Sequence, residues 1–159
     1  MKLRTKIRLS VLAVIAGLLL IAQFFLRTHI VIGESMTPTL RSRDFCLMRV
    51  IRHYQPRRGD IVVFRTADDP PLFFIKRVIA LPGEAINIDR GVVKINGAPL
   101  AEPYTTVNPD WNMEPTPVPA SKVFVIGDNR DLPREDYLLG LVATRLVDGR
   151  LLLYWRLKR

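Results

Sequence analysis

Two short stretches of this 159-residue chain carry side chains that could do chemistry together. One is Gly33-Glu34-Ser35-Met36-Thr37-Pro38-Thr39-Leu40; the other is Phe73-Phe74-Ile75-Lys76-Arg77-Val78-Ile79. A serine hydroxyl becomes a nucleophile when a neighbouring base takes its proton, and a neutral lysine amine can be that base. The serine stretch does not read as a helix start. Pro38 would suit the first helical position only with Thr37 as cap, and no helical periodicity follows. Gly33 lets the backbone approach another group closely, and Pro38 fixes the direction in which the chain leaves.

On a strand, alternate side chains share a face. Phe74, Lys76 and Val78 then point one way, and Phe73, Ile75, Arg77 and Ile79 the other. A strand lysine ordinarily guards a sheet edge or lays its stem along apolar surface with its head in water. Desolvation between Phe74 and Val78 would instead favour the neutral amine. Moving an ammonium from about 10.4 to about 7 takes roughly 4–5 kcal/mol, within what full burial supplies. Other chemistries find less support. His29 and His53 have no second His or Cys at ligand spacing, and Cys46 is the single cysteine, so neither a metal, a cofactor nor a disulfide framework is expected. Nothing nominates either histidine as the base of a triad, and His29 reads as interfacial. Asp128, Asp131, Glu135 and Asp136 are interspersed with Arg130 and Arg134, the composition of a salt-bridged turn.

The elements that must position Ser35 and Lys76 are short runs rich in Val, Ile and Phe. They cover 45–52, 60–66, 73–81, 85–89, 91–95, 122–126, 138–146 and 150–155, and turn formers separate them. Asn96-Gly97 and Asp148-Gly149 sit between apolar runs and read as hairpin turns. Residues 99–119 are rich in proline and lack periodicity, which predicts a loop or a loose excursion from the sheet. The expected fold is mainly β: one antiparallel domain, a partly closed barrel or coiled sheets, over residues 27–159.

Ahead of that domain, residues 9–26 hold no charge. Eighteen residues in a helix reach about 27 Å, close to the thickness of a bilayer core. A cleaved leader would end in a small-residue site, whereas Phe24, Phe25, Leu26 and Arg27 stand there, so an uncleaved transmembrane helix is expected. Lys2, Arg4, Lys6 and Arg8 form a basic tail over residues 1–8. Such a tail stays on the cytoplasmic side and leaves the rest outside. The formal net charge of +9 is therefore in good part anchor flank, and a phospholipid membrane is the expected partner. The remaining cations are mixed with acids and are not interleaved with aromatic residues, so nucleic acid is not expected.

Four boxes taken in order resemble those of type I signal peptidases: Gly33–Leu40, Arg58-Gly59-Asp60-Ile61-Val62-Val63-Phe64, Ile75-Lys76-Arg77-Val78-Ile79-Ala80-Leu81-Pro82-Gly83-Glu84, and Gly127-Asp128-Asn129-Arg130-Asp131. The resemblance implies a Ser/Lys endopeptidase of the inner membrane. Such an enzyme removes signal peptides from exported preproteins at Ala-x-Ala sites, on the outer side. By this likeness Ser35 is the nucleophile, Lys76 the general base and the Ser35 N–H the oxyanion donor. Val31, Ile32, Met36, Leu40, Phe74 and Ile75 would line shallow substrate pockets. Gly33, Pro38, Arg77, Gly127, Asp128, Asn129, Arg130 and Asp131 would support the site, with Arg77 pairing Asp128. Lysine in place of histidine points to the bacterial or mitochondrial branch.

The chain departs from the family pattern in three places. Gly33 stands where many bacterial members carry a serine donor, and Ala80 where glycine is usual. Pro133 replaces the serine that hydrogen-bonds the catalytic lysine. A water, a backbone carbonyl or Asp136 would then have to support Lys76, and the Asp136 charge would raise its pKa. Two other readings compete. One is a specialised secretion- or conjugation-associated peptidase with the same dyad. The other is an inactive membrane-tethered β module that binds peptides or polyanions, against which the presence of both Ser35 and Lys76 argues.

Overall fold

Val, Ile and Phe alternating with polar residues between turn formers favour extended chain, and the molecule is built of strands accordingly. The computed structural model describes residues 2–51, 53–105, 110–133, 136 and 138–156. Helix α1 (Lys2–Phe25) runs directly into β1 (Leu26–Ile30). There follow β2 (Phe45–Val50), β3 (Ile61–Arg65), β4 (Phe73–Ala80), β5 (Ala85–Asp89), β6 (Val92–Ile95), β7 (Ala98–Pro99), β8 (Met113–Pro117), β9 (Lys122–Ile126), β10 (Leu138–Ala143) and β11 (Val147–Trp155). A seven-stranded sheet has the order β1-β2-β11-β3-β4-β9-β10, and a four-stranded sheet the order β7-β6-β5-β8. Every pairing in both is antiparallel. Among the described residues β1 and β10 do not pair with each other, so the large sheet is open rather than a closed barrel.

Three apolar clusters position the site. β3 is buried on both faces: Ile61 and Val63 enter one cluster with Val31, Met36, Leu40, Cys46 and Met48, while Val62 and Phe64 enter another with Val78, Val123 and Val125. A strand covered on both sides reads as a continuous apolar run, as Ile61–Phe64 does. The third cluster joins the end of β4 to the small sheet through Ile79, Ile86, Ile88, Val93, Phe124 and Ile126.

Several expectations are corrected. Asp148-Gly149 is not a hairpin turn. It lies within β11, where the register against β3 shifts between Val147 and Gly149. A Cβ on Gly149 would stand 2.8 Å from the Arg49 carbonyl oxygen, so the glycine serves close strand approach. The run 138–146 ends as strand at Ala143 and turns through a 3₁₀ helix at Thr144–Leu146 before β11. The proline-rich stretch is not all loop, since its Met113–Pro117 forms β8 on β5. β8 is an edge strand, where the donors lost at Pro115 and Pro117 face no further strand. Residues 106–109 of that stretch lie outside the described residues. By contrast, Asn96-Gly97 makes the expected tight turn between β6 and β7, both residues with positive φ.

The helix ends at Phe25 and not at Leu26, because Leu26 already pairs with Arg49 in β2. Among the described residues no helix is long and apolar enough to cross a membrane. Within α1 the side chains at 2–4, 6, 19, 21 and 23 are outside that description.

Candidate active site

Ser35 sits on the turn that follows β1. The edge strand is prolonged past Ile30 by Val31, whose N–H donates to the Asp44 carbonyl at 2.9 Å and whose own carbonyl accepts from Arg43 N at 2.8 Å. At Gly33 the backbone swings to φ +90, a conformation that side chains with a Cβ resist. The Glu34 carbonyl accepts from Thr37 N–H at 3.0 Å, and the Met36 carbonyl from Leu40 N–H at 2.9 Å, winding the chain tightly around Ser35. Met36 and Leu40 are buried beneath it. The Ser35 N–H and hydroxyl make no hydrogen bond among the described residues. An unpaired N–H beside a partly exposed hydroxyl is what an oxyanion needs.

Lys76 lies on β4, opposite Val62 of β3. Its side chain is 3% exposed and its face of the strand carries the half-buried Phe74 and the buried Val78. Burial pulls its ammonium down to about 8, against the opposing charges of Asp136 and Asp128. Its Nζ donates to the Asp136 backbone carbonyl at 3.0 Å, the position Pro133 leaves to be filled. In this arrangement Nζ does not hydrogen-bond Ser35.

The loop after β9 ties the two stretches together. Asn129 N–H donates to the Ser35 carbonyl and Asn129 Nδ2 to the Glu34 carbonyl, both at 3.0 Å. On the other side of the same loop, Arg77 Nε donates to Asp128 Oδ1 at 2.8 Å and Nη2 to Asp128 Oδ2 at 2.6 Å. Thr39 Oγ1 adds a 2.6 Å bond to Asp128 Oδ2. The Arg77 guanidinium also lies 4.0 Å from the centre of the Tyr104 ring. Arg130, buried, donates to the Gly127 carbonyl and to Glu102 Oε1. Asn129 Oδ1 accepts from Asp131 N–H and closes the turn. Gly127–Asp131 therefore acts as a clamp between the serine turn and the lysine strand.

A groove of about 210 Å³ opens beside Ser35 and is lined by Val31, Ile32, Phe74 and Ile75. Met36 and Leu40, expected as lining, lie under it in the core and set its walls from beneath. His29, Ile30, Cys46, Val63 and Phe73 line it as well, and the sequence had nominated none of them for that place. The signal for two pairs of wall residues is cross-strand register, with His29 opposite Cys46 and Val63 opposite Ile75. Burial, then Arg27, push the His29 imidazolium below its ordinary value, opposed by Asp148. Among the described residues no cluster of His, Cys, Asp or Glu is arranged to hold a metal ion.

The chain has relatives among known proteins. The family described as signal peptidase, peptidase S26, matches residues 4–155. A signal peptidase I of Leptolyngbya laminosa is 38% identical over 149 residues, 87% of this chain and 73% of the relative. A probable signal peptidase I-1 of Synechocystis is 34% identical over 94% of this chain and 81% of its own length. A crystal structure of a signal peptidase I from Enterococcus faecalis superposes with a TM-score of 0.50 at 29% identity, covering 62% of this chain and 98% of that one. The chain belongs to the peptidase S26 family of signal peptidases and is an enzyme of that type.

Proposed function

We propose that this enzyme is a membrane-anchored serine endopeptidase that cuts signal peptides from exported preproteins, with Ser35 as nucleophile and Lys76 as general base. The observation that carries this reading is the buried lysine. Lys76 has its pKa lowered to about 8, and it shares its face of β4 with Phe74, which lines the same groove as Ser35. A structural lysine would place its charge in water, whereas one held dry is suited to accept a proton. That argues against the inactive module.

Substrate would enter as an extended strand. β1 is an edge of the large sheet, and β4 pairs with β9 only from Arg77 onward. Residues 73–76 thus offer backbone groups on one side of the groove and residues 29–32 on the other, the requirement for strand addition. Val31, Ile32 and Ile75 leave room for small apolar side chains, which supports Ala-x-Ala sites. Substrate binding draws Lys76 Nζ to Ser35 Oγ. Oγ then attacks the carbonyl carbon while Nζ takes the hydroxyl proton, and the Ser35 N–H receives the oxyanion. Collapse of the tetrahedral species breaks the peptide bond, and Nζ returns its proton to the leaving amine. Water, deprotonated by the same amine, releases the acyl group.

The anchor reading rests on α1. Its 24 residues extend about 36 Å at 1.5 Å each, and Leu9, Leu12, Val14, Ile15, Leu18 and Leu20 are all exposed on it. Apolar surface of that extent needs a covering, and a bilayer supplies it. The basic tail of residues 1–8 would then lie in the cytoplasm, and the β domain from residue 27 on the far side of the inner membrane.

The test is incubation of the detergent-solubilised chain with several unrelated Ala-x-Ala preproteins, alongside Ser35→Ala and Lys76→Ala. Cleavage of all by the native chain and of none by either variant is expected. Cleavage by the variants would remove the dyad, and cleavage of a single preprotein would favour the specialised peptidase.

A further inference from the structure

Where α1 meets the large sheet there is a cavity of about 810 Å³ whose lining includes Phe24, Phe25, Arg49, Val50, Ile51, Arg57 and Arg150. Its walls are of two kinds. Phe24 and Phe25 are the last residues of α1, 71% and 60% exposed, and Val50 and Ile51 continue that apolar side. The lining also carries three guanidiniums. Arg150 is held by Asp60 at 3.3 Å, but the side chains of Arg49 and Arg57 enter no ion pair among the described residues. Among the described residues no carboxylate lines the cavity.

We propose that this cavity seats the headgroup of an anionic phospholipid, with Arg49 and Arg57 on its phosphate and Phe24 and Phe25 beside the first carbons of its acyl chains. The inference rests on the reading of α1 as an anchor, because that places the end of the helix at the level of the headgroups. Charge complementarity selects the ligand class: guanidiniums fit phosphate oxygens in pairs, and apolar phenylalanine rings suit the boundary between headgroup and acyl chain. The C-terminus of α1 opposes an anion with roughly half an elementary charge, which the full charges of Arg49 and Arg57 outweigh. A free anion would not use the apolar wall, and a lipid uses both. A lipid seated here bridges α1 and β2, and so fixes the height of the catalytic domain above the bilayer.

The experiment takes the full-length chain in mild detergent and adds dioctanoyl phosphatidylglycerol or dioctanoyl phosphatidylcholine, with retained lipid counted by native mass spectrometry. Each cation at an anionic surface contributes roughly a fivefold gain. The native chain should prefer phosphatidylglycerol at least fivefold. Arg49→Gln/Arg57→Gln should lose that preference, while Arg49→Lys/Arg57→Lys and Lys2→Gln/Arg4→Gln should keep it. Absence of the preference in the native chain, its survival in the glutamine pair, or its loss in the tail variant would overturn the proposal. Equal competition by inorganic phosphate would overturn the lipid as source. Alkaline extraction of membranes reads the anchor independently, so a chain that stays in the pellet but shows no lipid preference sinks only this inference.

Discussion

Arg77 and Asp128 meet side-on, through Nε and Nη2, in two parallel hydrogen bonds of 2.8 and 2.6 Å, with the carboxylate fully buried and the arginine side chain 11% exposed. The pair spans β4 and the loop that holds Ser35, so the geometry of the site is inherited from it. A bidentate guanidinium–carboxylate pair fixes angle as well as distance, which a lysine at position 77 would not do.

Removing one partner of a buried pair leaves the other charged and without compensation, at about 3–5 kcal/mol. Arg77→Ala should therefore lower unfolding free energy by that amount in urea titrations and cut cleavage at the same time. Adding Asp128→Ala to Arg77→Ala should cost less than the two separate losses combined, because the stranded carboxylate is gone. Strict additivity would mean the two residues do not communicate.

Cleavage should depend on pH through Lys76. Its amine must be neutral to accept the serine proton, and its pKa lies at about 8. The log of kcat/KM should rise with unit slope below about 8 and level off above it. A plateau reaching down to pH 6 would mean that another group takes the proton.

The same shift sets a stability signature with a definite sign. The folded chain holds the Lys76 proton less tightly than the unfolded chain, whose value is 10.5. Between pH 8 and 10.5 the unfolded state binds more protons, so this group makes stability rise with pH across that window. Below it the burial penalty is fully present, about 3 kcal/mol for a shift of that size. Lys76→Met should thus abolish cleavage yet unfold at higher urea than the native chain at pH 7, with the difference fading towards pH 10.5. A less stable methionine variant at pH 7 would place the Lys76 head in water.

The strands β3, β4 and β9 were legible because the residues that form them follow local rules of alternation and apolar run. β1 was not, since Leu26 closes an uncharged segment and Arg27-Thr28-His29 carries no strand pattern; pairing with β2 makes it a strand. β8 was hidden by Pro115 and Pro117, which a central strand would exclude and an edge strand tolerates. Ser35 and Lys76 stood out by residue type and by likeness to a family, and Arg77 with Asp128 by that likeness, strand alternation supplying only the face of Arg77. The groove walls at Cys46, Val63 and Phe73 were out of reach. Which residue faces which across strands is set by register, a non-local property that no single stretch contains.

Ile75 offers the most direct test of the groove. It faces the slot beside Ser35 while packing on the cluster that includes Val63, its cross-strand partner. Ile75→Ala removes three carbons from that wall without touching Lys76 or the Arg77–Asp128 clamp. Ile75 is only partly buried, so the loss of packing should cost less than the roughly 2–5 kcal/mol of a fully buried isoleucine truncation. The wider slot should accept larger side chains, so the preference for Ala over Leu at the residue before the cut should fall. Each methylene a pocket can or cannot hold is worth about 1–3 kcal/mol in discrimination, so the ratio of kcat/KM values for the two peptides should drop at least tenfold. An unchanged ratio together with the expected fall in stability would mean that Ile75 supports the fold and that substrate lies elsewhere.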